Sequence, residues 1–209
     1  MKKTIIATVV LIFTVMSVSA QTEKGNMFAG LNIQYNRFSP ETVGPSFSGY
    51  EKTTSIGFGP EFGYFVARNL VVGPDVYFGH FTSTNNLGEE SKTTSWRPGL
   101  FARYYKYTSE GKFAFFAHLV AGIGRATSKQ SDPSGTVETI GKDKSTYAQL
   151  SPGFAYFFNR HWGLDIAVTG LYFNQIKSTN DLGIWKSTTG GLNINSLSPN
   201  LAVRYYFGS

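Results

Sequence analysis

The chain has 209 residues, no cysteine and a formal net charge of +6, two units of which come from Lys2 and Lys3. Without cysteine, disulfides, thiolate metal sites and thiol catalysis are excluded, and the scattered cations form no run that would argue for nucleic acid. Charged residues are only 15%, against about 25% in an ordinary soluble domain, while aromatics reach 16% and glycine occupies 23 positions. Few charges, many rings and many glycines together point to a surface that does not face water.

Residues 1–20 read as a cleaved signal peptide. Lys2 and Lys3 precede an apolar run from Ile5 to Val18, and Val18-Ser19-Ala20 forms a small-residue cleavage pattern before Gln21. The apolar run is shorter than the roughly 20 residues that a spanning helix needs. Residues 21–209 are then expected to form one barrel domain.

Beyond Gln21 the recurring signal is period-two alternation, the pattern of strands with two unlike faces. The first such strand places Met27, Ala29, Leu31, Ile33 and Tyr35 on one face and Phe28, Gly30, Asn32, Gln34 and Asn36 on the other. The second alternates Ile56, Phe58, Pro60, Phe62 and Tyr64 with Gly57, Gly59, Glu61 and Gly63. The third and fourth alternate Leu70 through Phe78 with Gly73, Asp75 and Tyr77, and Trp96 through Tyr104 with Arg97, Gly99, Arg103 and Tyr105. The fifth runs from Phe113 to Gly124 and the sixth from Ala148 to Tyr156. The seventh begins at Trp162 and carries Leu164, Ile166, Val168 and Tyr172 on its apolar face. The eighth sets Leu197, Pro199, Leu201, Val203, Tyr205 and Phe207 against Ser198, Asn200, Ala202, Arg204 and Tyr206.

The connections alternate in length. Val66 to Asn69, Lys106 to Lys112 and Asn159 to His161 read as short turns. Phe38 to Thr53, Thr82 to Ser95, Ala126 to Lys144 and Asn174 to Leu192 read as long polar loops. Short turns on the periplasmic side and long outer loops are the habit of membrane barrels, as are strands of about ten residues. Even-numbered strands carry a proline and then an aromatic pair beside the short turn: Pro60 with Tyr64-Phe65, Pro98 with Tyr104-Tyr105, Pro152 with Tyr156-Phe157, Pro199 with Tyr205-Tyr206. These aromatics are expected in a girdle at the periplasmic interface, and the prolines at bulges or bends, because each lacks a ladder donor.

A soluble barrel would show its second faces to water and fill them with Lys and Glu. Here they hold mostly Gly, Ala, Ser, Asn and Gln, which suit the inside of a narrow barrel. The expected fold is therefore all-β, an eight-stranded antiparallel up-and-down transmembrane barrel with its apolar faces toward lipid. The signal peptide, the alternating strands and the closing aromatic strand resemble the small outer-membrane β-barrel family of OmpA- and OmpX-like, porin-like domains. The resemblance spans nearly all of residues 25–207. It implies residence in the outer membrane of a Gram-negative bacterium. It also implies that Asn200, Ala202, Tyr205 and Phe207 form the closing-strand signal read by the outer-membrane assembly machinery, with Ala202 where the family usually has glycine.

No phosphate loop, paired-histidine metal spacing or nucleophile elbow occurs, and no cofactor is expected. His80 and nearby Ser83 could serve acyl-transfer or lipid-hydrolase chemistry; an interfacial histidine is the plainer reading. His118 is expected as a hydrogen-bonded filler of the lumen and His161 in a periplasmic turn. Glu61, Asp75 and Asp165 balance Arg97, Arg103 and Arg204 on the inward faces, and buried ions must be paired. These six are expected to form a salt-bridge network filling the lumen, the alternative being a gate or polar conduit. The sequence therefore points to a monomeric, non-enzymatic barrel in contact with membrane lipids. Its expected role is envelope integrity, adhesion or surface binding through the outer loops. A small-solute channel and an outer-membrane lipid-modifying enzyme are the alternatives.

Overall fold

In the computed structural model the described residues are 21–39, 52–85, 89–109, 111–131, 136–180, 183–193 and 200–207. They form one antiparallel sheet of ten strands: β1 (Met27–Phe38), β2 (Lys52–Ala67), β3 (Leu70–Thr84), β4 (Glu90–Tyr107), β5 (Phe113–Ser131), β6 (Val137–Phe157), β7 (Trp162–Ala167), β8 (Leu171–Asn180), β9 (Gly183–Leu192) and β10 (Asn200–Phe207). Each strand from β1 to β7 pairs with the next, and β10 pairs with both β7 and β1, so the wall closes on itself. The barrel is as expected; the strand count is ten rather than eight.

Pro152 explains the split of the expected seventh strand into β7 and β8. Leu150 pairs with Leu171 and Gly153 with Ala167, so three steps along β6 oppose four along its neighbour. This is a bulge, placed where proline has no N–H for the ladder. Its carbonyl still accepts from the Val168 N–H at 3.1 Å. Gly170 lies against the Leu150 carbonyl and the Pro152 ring, where a Cβ would not fit. The extra residue also shifts the alternation by one. Leu171, rather than Tyr172, continues the outward face, since it pairs with outward Leu150. At Pro60 and Pro98 the ladder lapses, but the register on either side is unchanged, so no bulge forms there. Pro199 lies outside the described residues.

Three segments expected as long loops are largely strand. Thr82 to Ser95 is a hairpin paired out to Thr84 and Glu90. Ala126 to Lys144 continues β5 and β6 to Ser131 and Val137. Asn174 to Leu192 is the β8–β9 hairpin, paired to Asn180 and Gly183. Most of Phe38 to Thr53 lies outside the described residues.

The two faces divide as alternation requires. Leu31, Ile33, Phe58, Leu100, Phe115, Leu119, Ile123, Ile166, Leu201 and Phe207 are exposed on the outer wall. Phe28, Phe65, Phe101, Tyr105, Phe116, Phe157 and Tyr206 are buried inside. The aromatic pairs therefore do not lie together in one girdle. Tyr64 and Tyr104 face out, whereas their neighbours Phe65 and Tyr105 point into the lumen, as do Phe157 and Tyr206. Rings from facing strands meet there, with Phe28 and Tyr206 centroids 5.6 Å apart and Phe157 and Tyr206 5.5 Å apart. Inward glycines make the room: a Cβ on Gly63 would strike the Phe28 ring, and one on Gly153 the Phe116 ring.

The segment before β1 runs across the same end. Gln21 and Thr22 are buried. Thr22 Oγ1 donates to Asn69 Oδ1 at 2.7 Å, and the Asn69 N–H donates to the Thr22 carbonyl at 2.8 Å. Asn69 holds φ 64° in the β2–β3 turn, a left-handed geometry that asparagine tolerates better than most residues.

Candidate functional site: the lumen

Above the aromatic rings, four side chains from four strands converge on the barrel axis. Glu61 comes from β2, Arg103 from β4, Asp165 from β7 and Arg204 from β10, and each is at most 5% exposed. Arg204 Nη2 donates to both Glu61 oxygens, at 3.0 and 2.8 Å, and its Nη1 donates to Asp165 Oδ2. Arg103 Nη1 donates to the same Asp165 oxygen at 2.6 Å, and its Nη2 lies 3.7 Å from Glu61 Oε2. Two cations and two anions thus alternate in a closed, neutral square. Desolvation of each ion is offset only because every member has opposite charges on both sides.

Neutral partners complete the square. Arg103 Nε donates to His118 Nδ1 at 3.0 Å, and Arg103 Nη1 to the Tyr105 hydroxyl at 3.2 Å. Tyr105 in turn contacts the Tyr206 hydroxyl at 3.2 Å. Asn32 Nδ2 donates to Glu61 Oε1. Both guanidiniums lie over rings, Arg103 at 4.4 Å from the Phe116 centroid and Arg204 at 5.2 Å from that of Phe28. The square therefore rests directly on the aromatic layer.

Asp75 and Arg97 do not join it. Asp75 has no hydrogen bond or ion pair among the described residues. Arg97 packs its guanidinium over Tyr77 at 4.5 Å and Tyr147 at 5.4 Å. Both line a cavity of about 370 Å3 that lies beyond the square, together with Gln34, Tyr77, Tyr147 and Gln149. The six expected charges thus divide into a four-membered square and two residues in a polar vestibule.

The other candidate residues fall as follows. His118 is inward and buried, bonded as described. His161 lies in the β6–β7 turn, its ring stacked on Tyr205 at 5.5 Å. His80 is exposed and contacts Thr94 and Thr82 hydroxyls at 3.3 Å. Ser83 is buried and lies on the opposite face of β3, so the two are not brought together. On β10, Asn200 begins the strand opposite Ala167, and Ala202 is buried between Asn32 and Asp165 in register. Tyr205 and Phe207 face out with ring centroids 4.9 Å apart. Among the described residues no group of His, Asp and Glu could hold a metal ion.

Sequence reasoning missed the aromatic layer. The signal was present in the spacing: Phe65, Tyr105 and Tyr206 each sit an even number of residues from Glu61, Arg103 and Arg204 and therefore share their inward face.

A closed antiparallel wall with an apolar outer face and ions sealed inside defines a membrane-spanning β-barrel. The model of the outer membrane protein beta-barrel domain family matches residues 5–207, and the chain belongs to that family. It is an outer-membrane protein. Solved structures similar to it include OprG of Pseudomonas aeruginosa, with 15% identity, a TM-score of 0.48, and coverage of 91% of this chain and 100% of that one. Outer membrane protein W of E. coli is similar at 19% identity and TM-score 0.45, covering 88% and 99%. The attachment invasion locus protein Ail of Yersinia pestis is similar at 12% identity and TM-score 0.45, with the same coverage. No curated protein matches the sequence significantly.

Proposed function

We propose that this is a non-enzymatic barrel with a closed lumen, which serves envelope integrity, adhesion or surface binding through its outer hairpins. The observation that carries this reading is the buried square of Glu61, Arg103, Asp165 and Arg204 seated on the aromatic layer. A solute or ion crossing the lumen would have to separate these paired charges, at several kcal/mol for each ion exposed to a low-dielectric surround. The hairpins β5–β6 and β8–β9, by contrast, reach well past the last row shared with β10 and offer strand edges and polar side chains for contact.

The small-solute channel reading draws on the vestibule, where Asp75 and Arg97 make no direct ion pair among the described residues. Planar-bilayer recording of the refolded protein separates the two. The closed-barrel reading expects no stepwise conductance from wild type. It also expects leak currents once Arg204 is replaced by alanine. Regular open-channel steps in the wild-type protein would transfer the assignment to the channel.

A further inference from the structure

The β-sheet register assembles a basic row that the linear sequence disperses. Arg125 on β5 pairs with Lys144 on β6, Lys144 with Lys177 on β8, and Lys177 with Lys186 on β9. Four cations thus stand directly side by side across four strands, and all four are exposed. Ion pairs among the described residues join Arg68 to Glu23 and Lys92 to Glu90 and build the lumen square; none reaches this row. Asp143 neighbours Lys144 in sequence but points to the other face, where it accepts from the Ser178 hydroxyl. Like charges directly opposite one another destabilise a sheet. An unrelieved row of four is therefore a local conflict with the fold, of the kind that marks a binding surface.

Its position identifies the partner. The row lies on the outward face, in phase with Ile123, Ala121 and Leu119 on β5. Below it come Ile123–Thr146–Gln175–Thr188, then Ala121–Ala148–Phe173–Gly190, then the apolar row Leu119–Leu150–Leu171–Leu192. Arg125 stands twelve residues along β5 from Phe113, at the periplasmic end. At about 3.3 Å per residue and a tilt of about 45°, that is roughly 28 Å of height, against an apolar band about 25 Å tall. Arg125 therefore lies at the outer membrane–water boundary, and because the strands are tilted the row climbs from it by about 3 Å per strand into the head-group region. Trp96, an interfacial side chain by type, continues the row on β4 as the partner of Arg125. A shallow cavity of about 360 Å3 lies among the four cations, with Thr146 and Gln175 in its wall.

We propose that this row binds the phosphorylated head group of an outer-leaflet glycolipid. Its phosphates lie across Arg125, Lys144, Lys177 and Lys186, its sugar hydroxyls meet Thr146 and Gln175, and its acyl chains run down the leucine row. The assignment does not depend on whether the lumen conducts.

The test is native mass spectrometry of the mature protein in neutral detergent. It is titrated with bisphosphorylated lipid A and with the same lipid after enzymatic removal of its phosphates. The phosphorylated form is expected to be retained and the dephosphorylated form lost. Each cation near an anionic lipid surface contributes about fivefold in affinity, so Lys144→Ala/Lys177→Ala should bind about thirtyfold more weakly. Lys144→Arg/Lys177→Arg should bind like wild type. Heat-dependent gel mobility verifies that each variant is folded. In lipid-free neutral detergent the alanine pair should be no less stable than wild type, because it removes repulsion. Equal retention of both lipid forms, or unchanged affinity of the alanine pair, would overturn the site. Displacement of the lipid by inorganic phosphate or a soluble sulfated polysaccharide at matched charge would overturn the lipid assignment.

Discussion

Arg204 is the residue on which the lumen square depends most. It is 1% exposed and is the one member that donates hydrogen bonds to both carboxylates. Arg204→Ala leaves Glu61 and Asp165 to share Arg103, and one buried negative charge goes uncompensated. Removing one partner of a buried pair costs about 3–5 kcal/mol, so the urea midpoint of the variant in detergent should fall accordingly. Glu61→Gln/Arg204→Met removes a charge of each sign and should recover much of that loss. A double variant as unstable as the sum of the single ones would show that the two do not interact. At this scale the sequence was partly legible. Parity placed all six charges inward but could not say which would touch, because that depends on the strand register and on the height of each residue in the barrel. Asp75 and Arg97 proved to stand above the square, not in it.

Strands were legible where the membrane imposes two unlike faces and illegible where it does not. The outer parts of β5, β6 and β8, beyond the basic row, are built largely from polar residues, as in ATSKQS at the end of β5. Both faces meet water there, so no alternation is needed and none appears. Backbone pairing continues nonetheless, since each new strand residue adds ladder bonds to one already ordered. The same fact hid the basic row, whose members are separated in sequence and meet only through the register. Pro152 could be read as a disturbance but not as a phase shift, because a bulge depends on the partner strand as well. The lipid face itself gives a direct test. Leu119 is outward, 49% exposed and paired with Leu150 near mid-wall. Leu119→Arg should lower the folding free energy in bilayers by about 2–4 kcal/mol. Gln34→Arg, inward beside the vestibule, should escape this penalty. Equal losses measured by denaturant titration in vesicles would reverse the assignment of the faces.

The whole molecule is held shut by one seam between chain ends. β1 and β10 pair from Met27–Phe207 to Ile33–Leu201, and both termini of the described barrel lie at the periplasmic end. The small-residue pattern Val18-Ser19-Ala20 puts the expected cleavage just before Gln21. Mass spectrometry of the membrane-extracted protein should show a chain beginning at Gln21; one still carrying Lys2 and Lys3 would contradict cleavage. The seam has a second role if the resemblance of the last strand to an assembly signal holds. Phe207 faces lipid, its ring 4.9 Å from that of Tyr205, which in turn lies 5.0 Å from Trp162. Phe207→Ser loses this aromatic contact at the first pair of the seam. An open seam leaves N–H and C=O groups in hydrocarbon, each at several kcal/mol, so a defect of closure should appear as poor refolding in detergent without any cellular component. A defect of recognition should leave refolding normal and instead trap the variant in the periplasm of cells. Measuring both in the same variant separates the two contributions, and normal surface display together with normal refolding would assign Phe207 neither.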